Sequence, residues 1–440
     1  MVPIIISPVT SLRRFISTPA IPREFQANFT HLYFDIAWFG IVSGTAMNFV
    51  SVYAARLGGS GLQIGLLGAT SAIVNLIFAI PASQVLERRP VGRTVFWSAM
   101  LFRLGYFLWI PLPLLFGNQG QVWSLIVITL LMGIPLTGVA VGFNALFAAA
   151  VPSEWRAQVA GVRNIFYSVT YMLSALGAGW LLDRLVFPLS YQVVFGIGGV
   201  AAMMSCVHLF FIKTVPPPAI PVQAAPPVGP DRAPARRTWQ SAVRLDVWRT
   251  PFAGVLLAML GFHLTQYLAI PLFPLFSVNV LHLTDQSIGI GTALYYFASV
   301  IGSVRLRWIV RRLGNRKVTG LGFMIMSLYP GLMAFAHSAG WYYVVSIIGG
   351  LSWAMVGGAY ANYILETIPE NDRPAYLAWY NIVLNASILI GSLVGPLMTV
   401  FGGLAAALFV AGLLRMAAGY AIFKGAYGRG KKIQEPASNA

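Results

Sequence analysis

Cysteine, histidine and charge are what this sequence has least of. A single cysteine, Cys206, stands inside an apolar run, which excludes a disulfide framework and any cysteine-based metal site. The five histidines are scattered. No His-Glu-x-x-His, Gly-x-Ser-x-Gly or Gly-x-x-x-x-Gly-Lys occurs, so metalloprotease, serine-hydrolase and phosphate-loop chemistry lack their first residues. His31-x-x-x-Asp35 is one residue short of the His-x-x-x-x-Asp spacing of acyltransferases. We therefore expect no enzyme, no cofactor and no metal, and any work the protein does must draw on an ion or solute gradient.

Charged residues make up only 9% of the chain against 58% apolar ones, and mean hydropathy is +0.74. Such a chain needs lipid rather than water around it. Its apolar runs of about 20 residues match a hydrocarbon core of about 30 Å at 1.5 Å per residue. Twelve such runs are present, six on each side of a proline-rich interval that runs from Lys213 to Val243. That interval is too poor in packable groups to form a core, and its prolines favour an extended backbone.

The net charge of +17 is explained by where the cations stand. With the N-terminus inside, 24 of the 29 Lys and Arg fall on the side of both termini, Arg56 and Arg184 on the other, and Arg103, Arg163 and Arg415 within helices. This is the positive-inside pattern of a multi-pass cell-membrane (plasma or inner membrane) protein with both termini cytoplasmic. Anionic lipid headgroups are its electrostatic partners; nucleic acid is not expected. The chain divides into a cytoplasmic N-terminal segment (1–28), a six-helix half (29–213), a cytoplasmic linker (214–250), a second six-helix half (251–423) and a tail (424–440). Arg13 and Arg14 follow the first apolar run, the reverse of a signal peptide.

In chain order, helix 1 spans about 29–54, helix 2 ends near Leu86, helix 3 covers about 94–117, helix 4 about 122–151 and helix 5 about 157–182. Helix 6 ends near Ile212. In the linker Trp239, Val243 and Val247 recur at i, i+4 among arginines, which suits either a short interfacial helix or an unstructured connection. Helix 7 (about 251–278) holds Pro271 and Pro274 and is expected to break there, leaving carbonyls in need of partners. Helices 8 to 12 follow at about 286–308, 318–338, 341–367, 375–400 and 402–423.

The two halves repeat. Ile64-Gly65 returns as Ile288-Gly289 and Glu87-Arg88 falls on Arg311-Arg312, both 224 residues later, while Pro152, Arg156 and Asn164 return 217 later as Pro369, Arg373 and Asn381. Parallel repeats of this kind place a transporter's site near midplane between the halves. Gly391 and Gly395 in helix 11, and Ser174 and Ala178 in helix 5, are small residues four apart, suited to close approach where rocking halves meet.

The interval Ser83-Gln84-Val85-Leu86-Glu87-Arg88-Arg89-Pro90-Val91-Gly92-Arg93 resembles the signature Gly-x-x-x-Asp-Arg-x-Gly-Arg-Arg between helices 2 and 3 of the major facilitator superfamily. Ser83 stands at the glycine, Glu87 at the aspartate, and two extra residues precede Gly92. The second-half echo Arg311-Arg312-Leu313-Gly314-Asn315-Arg316-Lys317 keeps the glycine and the basic end. The resemblance implies an all-α membrane fold of twelve transmembrane helices in two six-helix pseudo-repeats. It also implies a cytoplasmic gate formed by Glu87, Arg88, Arg93, Arg311, Arg312 and Arg316, closed in the outward-facing state. Two of the family's patterns are missing: helix 4 carries no arginine, and the Gly-Pro pair is in helix 11 (Gly395-Pro396) rather than helix 5.

Asp35 is the sharpest candidate for chemistry, because an acid inside a span costs about 2.5–3.5 kcal/mol on insertion scales and usually faces a cavity or a partner. Its repeat equivalents, Met259 or Gly261, are not acids, so scaffold symmetry does not require it. His31 lies one turn away, and Arg103 and Arg163 are at comparable depth, so the four form a candidate proton- or cation-coupling group; a structural ion pair is the alternative. By the same resemblance, helices 1, 4, 7 and 10 surround the cavity, which nominates Asn144, His263, Gln266, Tyr360 and Asn362. The sequence thus points to a monomeric secondary transporter of a small solute working by alternating access, with export of amphiphilic or drug-like compounds, coupled to protons through Asp35, as the leading expectation. Uptake of a nutrient or metabolite, a membrane receptor and a lipid scramblase are the rival expectations.

Overall fold

A computed structural model describes residues 23–214, 244–369 and 372–425. The expected N-terminal segment up to residue 22, the linker up to Val243 and the tail beyond Gly425 lie outside the described residues. Every regular element among the described residues is helical. Ten helices are long and apolar enough to cross a membrane; one of them contains two spans, and a further span is broken into short pieces, which makes twelve.

The first, α1, runs Arg23–Val42, loosens into a π-helical turn at Ser43–Met47, and resumes as Asn48–Arg56. Ser60 caps the next helix, α2 (Gly61–Arg88), through a reciprocal pair of bonds with Gln63, a capping box. Only Arg89 and Pro90 separate α2 from α3, which starts as Val91–Leu104 and continues through Gly105–Trp109 and Leu112–Leu115. The half closes with α4 (Asn118–Ala150), α5 (Arg156–Arg184) and α6 (Leu189–Phe210).

After the linker a 3-10 turn, Leu245–Arg249, leads into α7. The Arg244 guanidinium binds Asp246 and Asp372, and its carbonyl accepts from the Trp379 indole. That hydrogen bonding holds the exposed Asp246 carboxyl below the usual carboxylate range. The described end of the linker is therefore pinned to the start of a later helix; Trp239 and Val243, on which the interfacial-helix expectation rests, lie outside the described residues. The seventh span, α7, breaks where its prolines predict, into Phe252–Ala269 and Leu272–Asn279.

Helices α8 (285–313) and α9 (315–326, extended by Leu328–Met333) join without a loop. The sequence reading ended helix 8 near 308 and began helix 9 near 318. Helix in fact continues through both, because one residue, Gly314, makes the whole turn at φ 77° and ψ 158°. The second half ends with α10 (Ala339–Thr367), α11 (Arg373–Leu397) and α12 (Gly403–Lys424).

The glycines of the Ile-Gly repeat explain how the halves meet. A Cβ on Gly65 of α2 would collide with the Ser392 carbonyl of α11, and one on Gly289 of α8 would collide with the Ala175 carbonyl of α5. The two positions are thus the same contact made twice, once from each half. The small-residue pairs of helices 5 and 11 do something else: Ser174 packs on Gly40 and Gly44 of α1, and Gly391 and Gly395 pack on the Leu264 and Leu268 carbonyls of α7. These join helices within one half, so that part of the rocking-surface reading is corrected.

The dihedral angles at Gly314 lie in a region nearly closed to residues with a Cβ, where strain costs on the order of 1–3 kcal/mol. Gly314→Ala should lower the thermal midpoint of the purified protein in detergent, whereas Gly117→Ala, where a Cβ would meet open space at negative φ, should leave it within a degree or two.

Candidate functional site

Within the first half, five of six helices converge on one carboxylate. Asp35 of α1 is 3% exposed. Arg103 of α3 reaches one of its oxygens at 3.4 Å and Arg163 of α5 the other at 3.5 Å, while the Ser205 hydroxyl of α6 donates to Oδ1 at 2.6 Å. Arg163 also lies over the Phe143 ring of α4 at 4.4 Å, and Arg103 over Phe39 and beside the Cys206 sulfur. Far from water, each partner makes the others tolerable: the carboxylate is held by charge-assisted bonds, and the guanidinium groups are covered by aromatic faces. His31 does not join the cluster. Its Nδ1 faces Nδ1 of His208 at 3.1 Å, with Phe211 stacked on its ring.

A cavity of about 320 Å³ lies between the halves. Asn48 of α1 and Tyr171 of α5 face it from one side; Gln266 of α7, Thr292, Tyr295 and Tyr296 of α8, and Trp353 of α10 face it from the other. Of the five cavity residues read from the sequence, only Gln266 lines it. His263 is 5% exposed and bonds the Tyr380 hydroxyl at 3.0 Å, and Tyr360 stacks on Phe262; both belong to the packing of the second half. Asn144 is exposed, and Asn362 borders a shallow pocket beside Asn315 and Glu366 at the end of α10. Helices 1, 7 and 10 do line the cavity, but helix 4 does not, and α5, α8, α9 and α12, which the resemblance did not nominate, do; which face of each helix turns inward depends on packing that the sequence does not display.

Arg415 of α12 was passed over as a topology exception, yet it lines the cavity at 1% exposure. Its guanidinium donates to the carbonyls of Gln266 at 2.9 Å, Thr265 at 3.4 Å and Met326 at 3.5 Å. Two of these carbonyls, those of Thr265 and Gln266, lie close before the α7 break.

A set of cross-half polar contacts lies at midplane and on the face away from the chain ends. Arg56 at the end of α1 pairs with Asp285 at 2.7 Å and donates to the Leu283 carbonyl. Asp183 at the end of α5 accepts from the backbone N–H groups of Asp285 and Gln286, where the first turn of α8 offers unpaired donors and a favourable dipole. Nearer midplane, Tyr171 stacks on Tyr296 at 4.1 Å and Asn75 bonds Asn385. The sequence signal for this latch was present: Arg56 is a cation on the side that is otherwise almost free of them, and such a charge needs a partner.

On the opposite face the residues of the expected gate are not tied across. Arg88, Arg93 and Arg311 are exposed, Arg312 lies over the Trp308 ring of its own helix, and Arg316 is half-buried near Gly425. The Glu87 side chain is outside the described residues.

Removing one partner of a buried ion pair strands the other, at a cost of about 3–5 kcal/mol. Asp35→Ala should therefore lower folded yield and thermal midpoint sharply, and Arg103→Met combined with Asp35→Leu should recover part of that loss. Equal damage from both variants would show that the charges are not coupled.

The major facilitator superfamily model matches residues 36–284 and 255–437. Among curated proteins the chain is 26% identical over 151 residues to "Multidrug resistance protein 2" of Bacillus subtilis (strain 168), which is 34% of this chain and 36% of that one. It is 23% identical over 239 residues to the "Cis,cis-muconate transport protein" of Acinetobacter baylyi (strain ATCC 33305 / BD413 / ADP1), 52% and 54% of the two chains. The matches thus span about a third and about half of those relatives. Among solved structures, the inward-open xylose transporter XylE from E. coli superposes with a TM-score of 0.65 at 15% identity, covering 92% of this chain and 96% of that one. A POT family transporter in complex with 5-aminolevulinic acid gives 0.66 at 10%, with 92% and 96% covered. These likenesses carry the fold. With twelve spans in two repeated halves and a family model matched along both, the chain belongs to the major facilitator superfamily.

Proposed function

We propose that this protein is a secondary transporter that exports a small amphiphilic solute by alternating access, with both termini cytoplasmic. The observation that carries the reading is the asymmetry around the central cavity: Arg56, Asp285 and Asp183 tie the halves on one face, while on the other the gate residues Arg88, Arg93 and Arg311 are exposed and Arg312 lies over a ring of its own helix. A binding site between two rigid halves, latched on one side, is what one end state of a rocking carrier requires. In this reading the conformation is open to the cytoplasm. The gate of Arg88, Arg93, Arg311, Arg312 and Arg316, with Glu87, closes in the opposite state.

Export is supported by the relative named for multidrug resistance, and movement of a small organic solute by both curated relatives. Proton coupling is assigned to Asp35. A proton on its carboxylate would leave Arg103 and Arg163 without a counter-charge, so protonation has to be matched by separation of α1 from α3 and α5. That is a route from a chemical event to a helix movement.

The reading is tested by accumulation of amphiphilic dyes, one cationic and one anionic, in an efflux-deficient bacterial host. The wild-type protein should lower accumulation of at least one dye, and both a protonophore and Asp35→Asn at matched membrane levels should abolish the effect. Unchanged accumulation of both dyes would sink export and leave uptake; gradient-independent lipid equilibration in vesicles would indicate a scramblase.

The latch gives a separate expectation. Asp285→Asn or Arg56→Gln should shift the population toward the state open on the far face, read as faster labelling of a cysteine placed at Thr292 by a membrane-impermeant maleimide from that side in the Cys206→Ala background. Labelling that stays the same would remove the latch from the conformational equilibrium.

A further inference from the structure

The second half buries a cation and supplies no anion for it. Arg415 is 1% exposed in the middle of α12, and no Asp or Glu among the described residues pairs with it. Its three backbone acceptors stand at 2.9, 3.4 and 3.5 Å, and its Nε has no partner. A guanidinium offers five N–H donors in a planar fork, so two of this one's, including Nε–H, are unspent and two of its three bonds are long. The contrast with the first half is direct: there Arg103 and Arg163 share a carboxylate. Burying an uncompensated charge is expensive, and a fold retains it most readily where a counter-ion arrives from outside.

The surroundings describe that counter-ion. Arg415 lines the cavity between the halves, and the cavity's other lining residues include no acid. Five of them are tyrosines, and two, Tyr171 and Tyr296, come from different halves and stack at 4.1 Å. At about 320 Å³ the space is at the small end of ordinary ligand sites. It is too large and too aromatic to be built for a bare inorganic ion.

We infer that the cargo is a small organic carboxylate with a flat apolar body, its carboxylate taken by the Arg415 fork and its body packed among the cavity tyrosines. This rests on the transport reading above and adds its substrate class. A carboxylate can accept two parallel N–H bonds from a guanidinium, a geometry that a lysine ammonium cannot reproduce. Because the acceptors now holding Arg415 are the carbonyls beside the α7 break, an incoming carboxylate competes with them. Binding at the site is thereby linked to α7, a cavity helix that is already in two pieces.

The test is thermal stabilisation and Trp353-sensitive fluorescence of the full-length purified protein with benzoate and cinnamate, against the neutral benzamide and the cationic benzylamine. Both carboxylates should bind saturably and raise the unfolding midpoint, and the neutral and cationic probes should not. Arg415→Gln should weaken carboxylate binding about ten- to a hundredfold, the scale of a lost charge-assisted bond, with Arg415→Lys in between. If Arg415→Gln fails to fold, the four-probe comparison on the wild-type protein decides alone. Equal response to all four probes, no response to either carboxylate, or full affinity in Arg415→Gln overturns the inference. Flux in proteoliposomes separates it from the parent reading: carboxylates that bind through Arg415 but are never moved uphold the site and sink transport. Solutes that are moved without competition from carboxylates sink the site and uphold transport.

Discussion

A charge inside a bilayer must find its opposite, and the first half of this protein is assembled around one instance of that rule. Asp35 stands between Arg103 and Arg163, with Ser205 on the same carboxylate. Because these residues come from α1, α3, α5 and α6, and Phe143 brings in α4 beneath Arg163, the cluster fixes how five helices are arranged about one point. Hydrophobic burial cannot supply that specificity, since lipid is as apolar as the helix faces; directional polar contacts can.

The second half follows the same backbone plan with the opposite electrostatic solution. Arg415 is compensated by the dipoles of carbonyls close to the α7 break, not by a formal charge. The consequence is a difference between halves that are alike in fold: one gives its two buried guanidinium groups a shared carboxylate, and the other presents a guanidinium with no carboxylate to the cavity. The latch on the far face has a similar economy, since Asp183 binds the backbone at the start of α8 and needs no particular side chain there except Asp285 for Arg56.

Much of the architecture could be read directly from the chain. Span length, the sidedness of the cations and the 224-residue repeat are consequences of bilayer thickness and gene duplication, and each leaves a linear trace. The helix 7 break was legible because proline acts locally. The Asp35 cluster was partly legible, because three charges within spans at similar depth constrain one another. The cavity lining was not. His263 and Tyr360 sit on helices that do face the cavity, yet their side chains turn into the second half's own core; with nearly uniform apolar composition around each helix, no amphipathic signal marks the inward face. Arg415 was hidden for a related reason, since nothing near it in sequence reveals that its neighbours in space are carbonyls and tyrosines.

The twin glycines at 65 and 289 bear on the speed of the molecule as well as its shape. At both sites the surface met by one half is the carbonyl track of the other, not a set of interlocking side chains. Interdigitated side chains would have to leave their rotamer wells whenever the halves turned. Carbonyl oxygens against bare Cα hydrogens form weak contacts that change smoothly with displacement. The two half-to-half seams are therefore smooth at these glycines, and side-chain contact across them is concentrated at the Tyr171–Tyr296 stack and the Asn75–Asn385 bond.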